Sequence, residues 1–147
     1  MKAKMWWLTL RGTAALVTAM VAIAACGGGK PRVQENRQWS DNYAFRITVN
    51  PTPPRAIEDA AYRIVVQDKK TGEPIETGEG RIFATSQDGA GTDDGLAKAS
   101  EIGTYGARLF FPTSGDWAIA IQFRRSSTQP LERVNWIQSV ENASGPG

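Results

Sequence analysis

Two stretches in the second half of the chain, Thr104–Phe111 and Asp116–Arg124, alternate apolar and polar residues with a period of two. Tyr105, Ala107, Leu109 and Phe111 fall on one face of the first. Trp117, Ile119, Ile121 and Phe123 fall on one face of the second. Successive side chains of a strand point to opposite sides, so this pattern builds half-buried strands and is out of phase with a helix. Pro112-Thr113-Ser114-Gly115 lies between them, and its proline and glycine predict the turn of a hairpin.

The same period recurs upstream. Tyr43, Phe45, Ile47 and Val49 alternate with polar or small residues until Asn50-Pro51-Thr52-Pro53-Pro54, where proline cannot donate into a ladder. Arg55–Ala60 is expected as a turn or a short helical link. Tyr62, Ile64 and Val66 mark a second strand, followed by the turn Lys69–Pro74, a short segment Ile75–Thr77 and a further strand over Arg81–Ser86. Gln87–Gly103, with its three close glycines and its acids, is expected to be irregular, with one helical turn inside Leu96–Glu101. Over Leu131–Val140, Val134, Trp136, Gln138 and Val140 fit a strand, while Leu131, Val134, Ile137 and Val140 fit a helix. The β-branched residues and the expected edge position favour the strand. Six or seven short strands separated by Gly/Pro turns across about 100 residues predict an all-β fold, a small antiparallel β-sandwich of about seven strands.

What precedes the strands is of another kind. Lys2 and Lys4 give a positive start, and Gly12–Ala25 is an uncharged, mostly apolar run of 14 residues. That is short of the roughly 20 needed to span a bilayer core and fits a secretory signal. Ile23-Ala24-Ala25-Cys26 ends the run and holds the sole cysteine of the chain. These four residues resemble the lipobox of bacterial lipoproteins, which implies cleavage between Ala25 and Cys26 and a diacylglycerol on the Cys26 sulfur. Two or more acyl chains hold a protein stably on a membrane. The organisation expected is a signal peptide (1–25), a lipidated cysteine with a flexible tether (26–40), the sandwich (41–141) and a frayed tail (142–147). The residue after Cys26 is Gly27 rather than aspartate, which favours the periplasmic face of the outer membrane in a cell with two membranes.

The leader also alters the charge. The whole chain has 17 basic and 15 acidic residues; Lys2, Lys4 and Arg11 leave with the leader, so the remainder has 14 against 15, a net charge of −1. Nucleic acid is therefore not expected as a partner. With Cys26 acylated no intrachain disulfide is possible, and packing alone must hold the domain.

The run Tyr62–Phe123 resembles the immunoglobulin-like domains of the FixH-like and YtkA-like group. The resemblance rests on Lys70-Thr71-Gly72-Glu73-Pro74-Ile75, on Gly103-Thr104-Tyr105 and on Ser114-Gly115-Asp116-Trp117 with the alternating strand that follows. It implies an immunoglobulin-like β-sandwich; some relatives of this type are associated with copper handling or with assembly of membrane metal enzymes. Copper sites of that kind use His, Met or Cys. This chain has no His, its three methionines (Met1, Met5, Met20) lie in the leader, and Cys26 is the acylation site. No metal or other cofactor is expected.

The absence of histidine likewise removes Ser-His-Asp and Cys-His catalysis and the usual zinc sites. Asp88, Asp93, Asp94 and Glu101 form a pool of acids with no spacing that singles out an acid and a nucleophile, so no enzymatic activity is expected. Read as a calcium loop from Asp88, position 3 is Ala90 and position 12 is Ala99, which fails the EF-hand pattern. The side chains expected to meet a ligand or partner are Asp88, Asp93, Asp94, Trp136, Arg124 and Arg125. The function expected is a non-enzymatic, membrane-anchored envelope lipoprotein that binds a protein partner or supports an assembly. Two alternatives stand beside it: a sugar- or calcium-binding module using residues 87–103, and an accessory factor for a membrane metal enzyme, implied by the fold resemblance alone.

Overall fold

A computed structural model describes residues 33–145 of the chain. The expected signal peptide, and the cleavage and acylation expected at Ala25 and Cys26, lie outside the described residues. Nine strands occur among the described residues, and no helix. They form two antiparallel sheets. The five-stranded sheet runs in the order β1 (Asn36–Trp39), β2 (Tyr43–Asn50), β3 (Asp59–Asp68), β7 (Thr104–Phe110), β6 (Ala97–Lys98). The four-stranded sheet runs β5 (Gly91–Gly95), β4 (Glu79–Ser86), β8 (Gly115–Arg124), β9 (Glu132–Val140). The all-β sandwich expected from the alternation is the fold observed.

The apolar faces meet between the sheets as their period dictates. Phe45, Ile47, Tyr62, Ile64, Tyr105 and Leu109 come from one sheet, and Ile82, Trp117, Ile119, Ile121 and Phe123 from the other; all are buried. At the centre the Phe123 ring takes edge contacts from Tyr43, Phe45 and Tyr105, with centroids 5.1, 6.0 and 5.4 Å away. Such edge-to-face pairs contribute about 0.5–1.5 kcal/mol each beyond their area. The Tyr105 hydroxyl is satisfied inside this core: it donates to the Ile75 carbonyl (2.6 Å) and accepts from the Gly78 N–H (3.0 Å). It thereby holds Ile75–Gly78, which is not a strand of either sheet. The turn before β7 depends on Gly103, whose φ of +68° and close approach to Pro74 (2.6 Å from an added Cβ) leave no room for a side chain.

Three expectations are corrected. First, β7 and β8 are not a hairpin. β7 lies between β3 and β6, β8 lies between β4 and β9, and Pro112–Ser114 carries the chain across the core from one sheet to the other. Alternation identifies the core face of each strand but not its lateral partner, and a hairpin and a crossing between sheets share one pattern. Crossing brings Phe111 onto Trp117, centroids 5.1 Å apart.

Second, Gln87–Gly103 is not irregular throughout, since two short strands within it are paired. β5 extends β4 at the edge of one sheet, and after Leu96 the chain passes to the other sheet, where β6 pairs with β7. Its Gly- and Asp-rich sequence carries little strand preference; the backbone of β4 supplies the template. Leu96–Glu101 makes no helical turn. Third, part of the expected tether is structured: Asn36–Trp39 pairs with Ala44–Ile47. It is polar because it is an edge strand with one face on solvent. Of the two forms expected for Arg55–Ala60, the turn is the one observed; Arg55 makes an isolated bridge to Glu141, and β3 begins at Asp59. Leu131–Val140 likewise takes the favoured strand form.

Candidate functional site

The six side chains singled out in the sequence do not converge. Asp93 pairs with Arg81 along the β4–β5 ladder (2.8 Å). Asp94 reaches from β5 across to the other sheet and accepts the Arg108 backbone N–H at 2.8 Å, a staple between the two layers. Asp88 accepts a hydrogen bond from the Ser86 hydroxyl within its own turn, which lowers its pKa. Glu101 pairs with Arg63. Among the described residues no three acids lie close enough to hold a metal ion together.

Arg124 pairs with Glu79 (2.6 Å) and Arg125 with Asp68 (2.6 Å). Exposed pairs of this kind contribute ~0–1 kcal/mol, so they orient side chains more than they stabilise the fold. Asp68 is the better determined of the acids. The hydrogen bond from Arg125, with backbone donors from Thr71 and Lys70, brings its pKa from 3.8 down to about 2. A depressed carboxylate contributes stability that is fully present above its unfolded value and is lost as pH falls through its folded value. The melting-temperature difference between wild type and Asp68→Asn is therefore expected to be constant above pH 5 and to vanish as pH approaches 2. A difference that persists unchanged at pH 2 would contradict this role.

Two other places carry features that the list above lacks. The first is the outer face of the four-stranded sheet. Phe83 lies under two guanidinium groups, those of Arg81 (5.5 Å from the ring centroid) and Arg133 (4.8 Å). One pairing step along, Thr85, Ala118 and Ile137 line up across β4, β8 and β9, and Ile137 is 67% exposed. The turns around Ser86–Asp88 and Thr113–Asp116 rim this row as a shallow concavity, which is where Asp88 resides. The helical alternative for Leu131–Val140 would have placed Ile137 in the core; the strand turns it outward.

The second place is the side of the sandwich where β1 and β9, the edge strands of their sheets, face one another. Their seam is pinned at both ends. At one end the backbone N–H and side-chain amide of Asn42 donate to Glu132 (3.0 and 2.5 Å). Burial pushes the Glu132 carboxyl up, but hydrogen bonds from Ser40 and Asn42 outweigh it and leave its pKa lowered. At the other end Glu141 exchanges backbone hydrogen bonds with Pro54 and Ala56 (2.8 and 2.9 Å). Between the pins a cleft of about 470 Å³ opens toward the core, and Trp136 and Tyr62 line it. Trp136 is half-buried, its face turned inward with Val134 and Val140. The sequence placed Trp136 on the candidate list but read Tyr62 as plain core, since its phase matches Ile64 and Val66.

Comparison with known proteins gives a family and a fold. The chain belongs to the YtkA-like family, whose model matches residues 37–122. A DUF4426-family protein of Pseudomonas aeruginosa PAO1 is similar in structure, with a TM-score of 0.58 at 14% identity, covering 75% of this chain and 97% of that one. FetP of uropathogenic E. coli strain F11 is similar at a TM-score of 0.56 and 10% identity, covering 76% and 98%. At these identities the likeness speaks for the fold. No curated protein matches the chain by sequence.

Proposed function

We propose that this member of the YtkA-like family is a non-enzymatic lipoprotein of the bacterial cell envelope. A lipid on Cys26 holds it to the membrane, and its sandwich binds a protein partner or supports an envelope assembly. The leader and Ile23-Ala24-Ala25-Cys26 support the anchor. An envelope location is further supported by FetP, which was produced in the periplasm.

The observation that carries partner binding is the outer face of the four-stranded sheet. Arginine and aromatic groups dominate binding energy at protein interfaces, and here Arg81, Phe83 and Arg133 stack beside the exposed Ile137. The acids of residues 87–103 are engaged in pairs and staples, so no observation favours ligand binding by that segment.

Affinity purification of the full lipidated chain tests this reading. A discrete envelope protein should co-purify with the wild type and be lost with Ile137→Asp and with Arg133→Ala, both still folded and membrane-bound. Capture of the same proteins by the wild type and both variants would overturn the assignment of this face. Cys26→Ser should abolish incorporation of labelled fatty acid; a wild-type protein that takes up none would overturn the anchor.

A further inference from the structure

The two outer faces of the sandwich differ in charge. By the pairing register, Arg37 of β1, Arg46 of β2, Arg63 of β3 and Arg108 of β7 all lie on the side of the five-stranded sheet away from the core. All four are exposed. Against these four arginines the strands of that sheet set a single outward acid, Asp59, for a balance of +3. On the outer side of the four-stranded sheet, Arg81, Arg124 and Arg133 stand against Glu79, Asp93 and Asp116, for a balance of zero. Beyond the strands, Glu35 pairs with Arg37 and Glu101 with Arg63. Arg46 and Arg108 make no ion pair among the described residues. Exposed ion pairs are weak, so a phosphate can take the place of either glutamate.

Two large aromatic side chains share the basic side. Trp39, at the end of β1, is 59% exposed and in register with Ala44; Phe110, at the end of β7, is 46% exposed and in register with Asp59. Tryptophan settles at the headgroup level of a bilayer, and the guanidinium fork matches phosphate oxygens. An anionic membrane surface attracts each nearby arginine within about a Debye length. The position along the chain agrees. Ten residue steps separate Cys26 from Asn36, the first residue of β1, at most ~36 Å of fully extended chain. The strand nearest in sequence to the anchor is thus an edge strand of the basic sheet.

We propose that the outer face of the five-stranded sheet docks on an anionic phospholipid surface, the one to which the lipid on Cys26 holds the chain. The proposal rests on that anchor and adds an orientation to it. Docking by the basic face turns the outer face of the four-stranded sheet away from the bilayer, where a protein partner can reach it.

The test uses the full chain purified from membranes. It is mixed with vesicles of phosphatidylcholine, or of equal parts phosphatidylcholine and phosphatidylglycerol, both doped with acyl-brominated lipid that quenches tryptophan. Flotation with the neutral vesicles reports the anchor, since acyl chains insert without any anionic lipid. The difference in quenching between wild type and Trp39→Phe reports the face. Trp39 is expected to be quenched by the anionic vesicles and not by the neutral ones, and released in ~1 M salt, where the Debye length falls to ~3 Å. Arg46→Gln combined with Arg108→Gln should lower the docked-to-free ratio about thirtyfold, ~1 kcal/mol for each arginine, with flotation and melting temperature unchanged. Arg81→Gln combined with Arg133→Gln, on the opposite face, should leave Trp39 quenching as in wild type. A chain that floats with both vesicles while Trp39 is quenched equally by both, or by neither, overturns the docking face and leaves the anchor standing. So does equal quenching in wild type and the Arg46, Arg108 double variant. A chain that floats with neither vesicle overturns the anchor and this proposal with it.

Discussion

Replacing Trp117 by alanine is expected to remove about 3–5 kcal/mol of stability. Small domains have ~5–15 kcal/mol in total, so the variant should be partly unfolded at 37 °C. Trp117 is fully buried, stands edge-on to Phe111 and donates its indole N–H to the Thr113 carbonyl at 3.1 Å. It therefore does two jobs. Its ring fills the core where the chain crosses from β7 to β8, and its N–H fixes the crossing itself. Alanine would leave a cavity under Phe111 and an unpaired carbonyl in the connection. Chemical denaturation followed by Tyr or Trp fluorescence measures the loss. A loss below ~1 kcal/mol would mean that the crossing is held by something other than this residue.

The next largest effect is expected at Gly78. A Cβ there would overlap the ring of Phe123, and that ring has no direction in which to yield. Tyr43, Phe45 and Tyr105 meet it edge-on from other sides. The Gly78 N–H is also tied to the Tyr105 hydroxyl, so moving the backbone away breaks a buried hydrogen bond. Overpacking of a well-filled core costs about 1–3 kcal/mol, and the broken bond adds about 1–3 kcal/mol more. Gly78→Ala should thus approach the Trp117→Ala loss although it adds a single methyl group. Gly95→Ala is the control, because an added Cβ there meets nothing within 4 Å. Equal effects at the two glycines would show that the aromatic cluster is more pliant than its geometry implies.

Both variants act on the part of the molecule that was most legible in the sequence. The inward residues of β2, β3, β7 and β8 follow from alternation alone, since a strand shows its faces by a local rule. The residues that became candidate sites were less legible. Asp93 and Asp94 stood out as close acids, but each is taken up by a long-range partner, Arg81 in the next strand and the Arg108 N–H in the other sheet. Ile137 was visible only as one of two competing periodicities. Trp136 is half-buried and packs against the core, and its surroundings are not predictable from the sequence.

What the sequence determined by itself was the main strands with their inward faces and the absence of histidine, together with an apolar N-terminal run ending in the one cysteine. These are local or compositional properties, and no fold can change them. The tertiary structure alone decided which strands lie side by side, because backbone hydrogen bonding is blind to side-chain pattern and the choice depends on contacts far apart in the chain. It therefore also decided that β7 and β8 oppose each other across the core, and that β1 closes against β9. The placing of Tyr62 and Trp136 on one cleft belongs to the same category. Tyr62 reads as ordinary sandwich filling until the seam between the two edge strands places it beside Trp136 on one cleft.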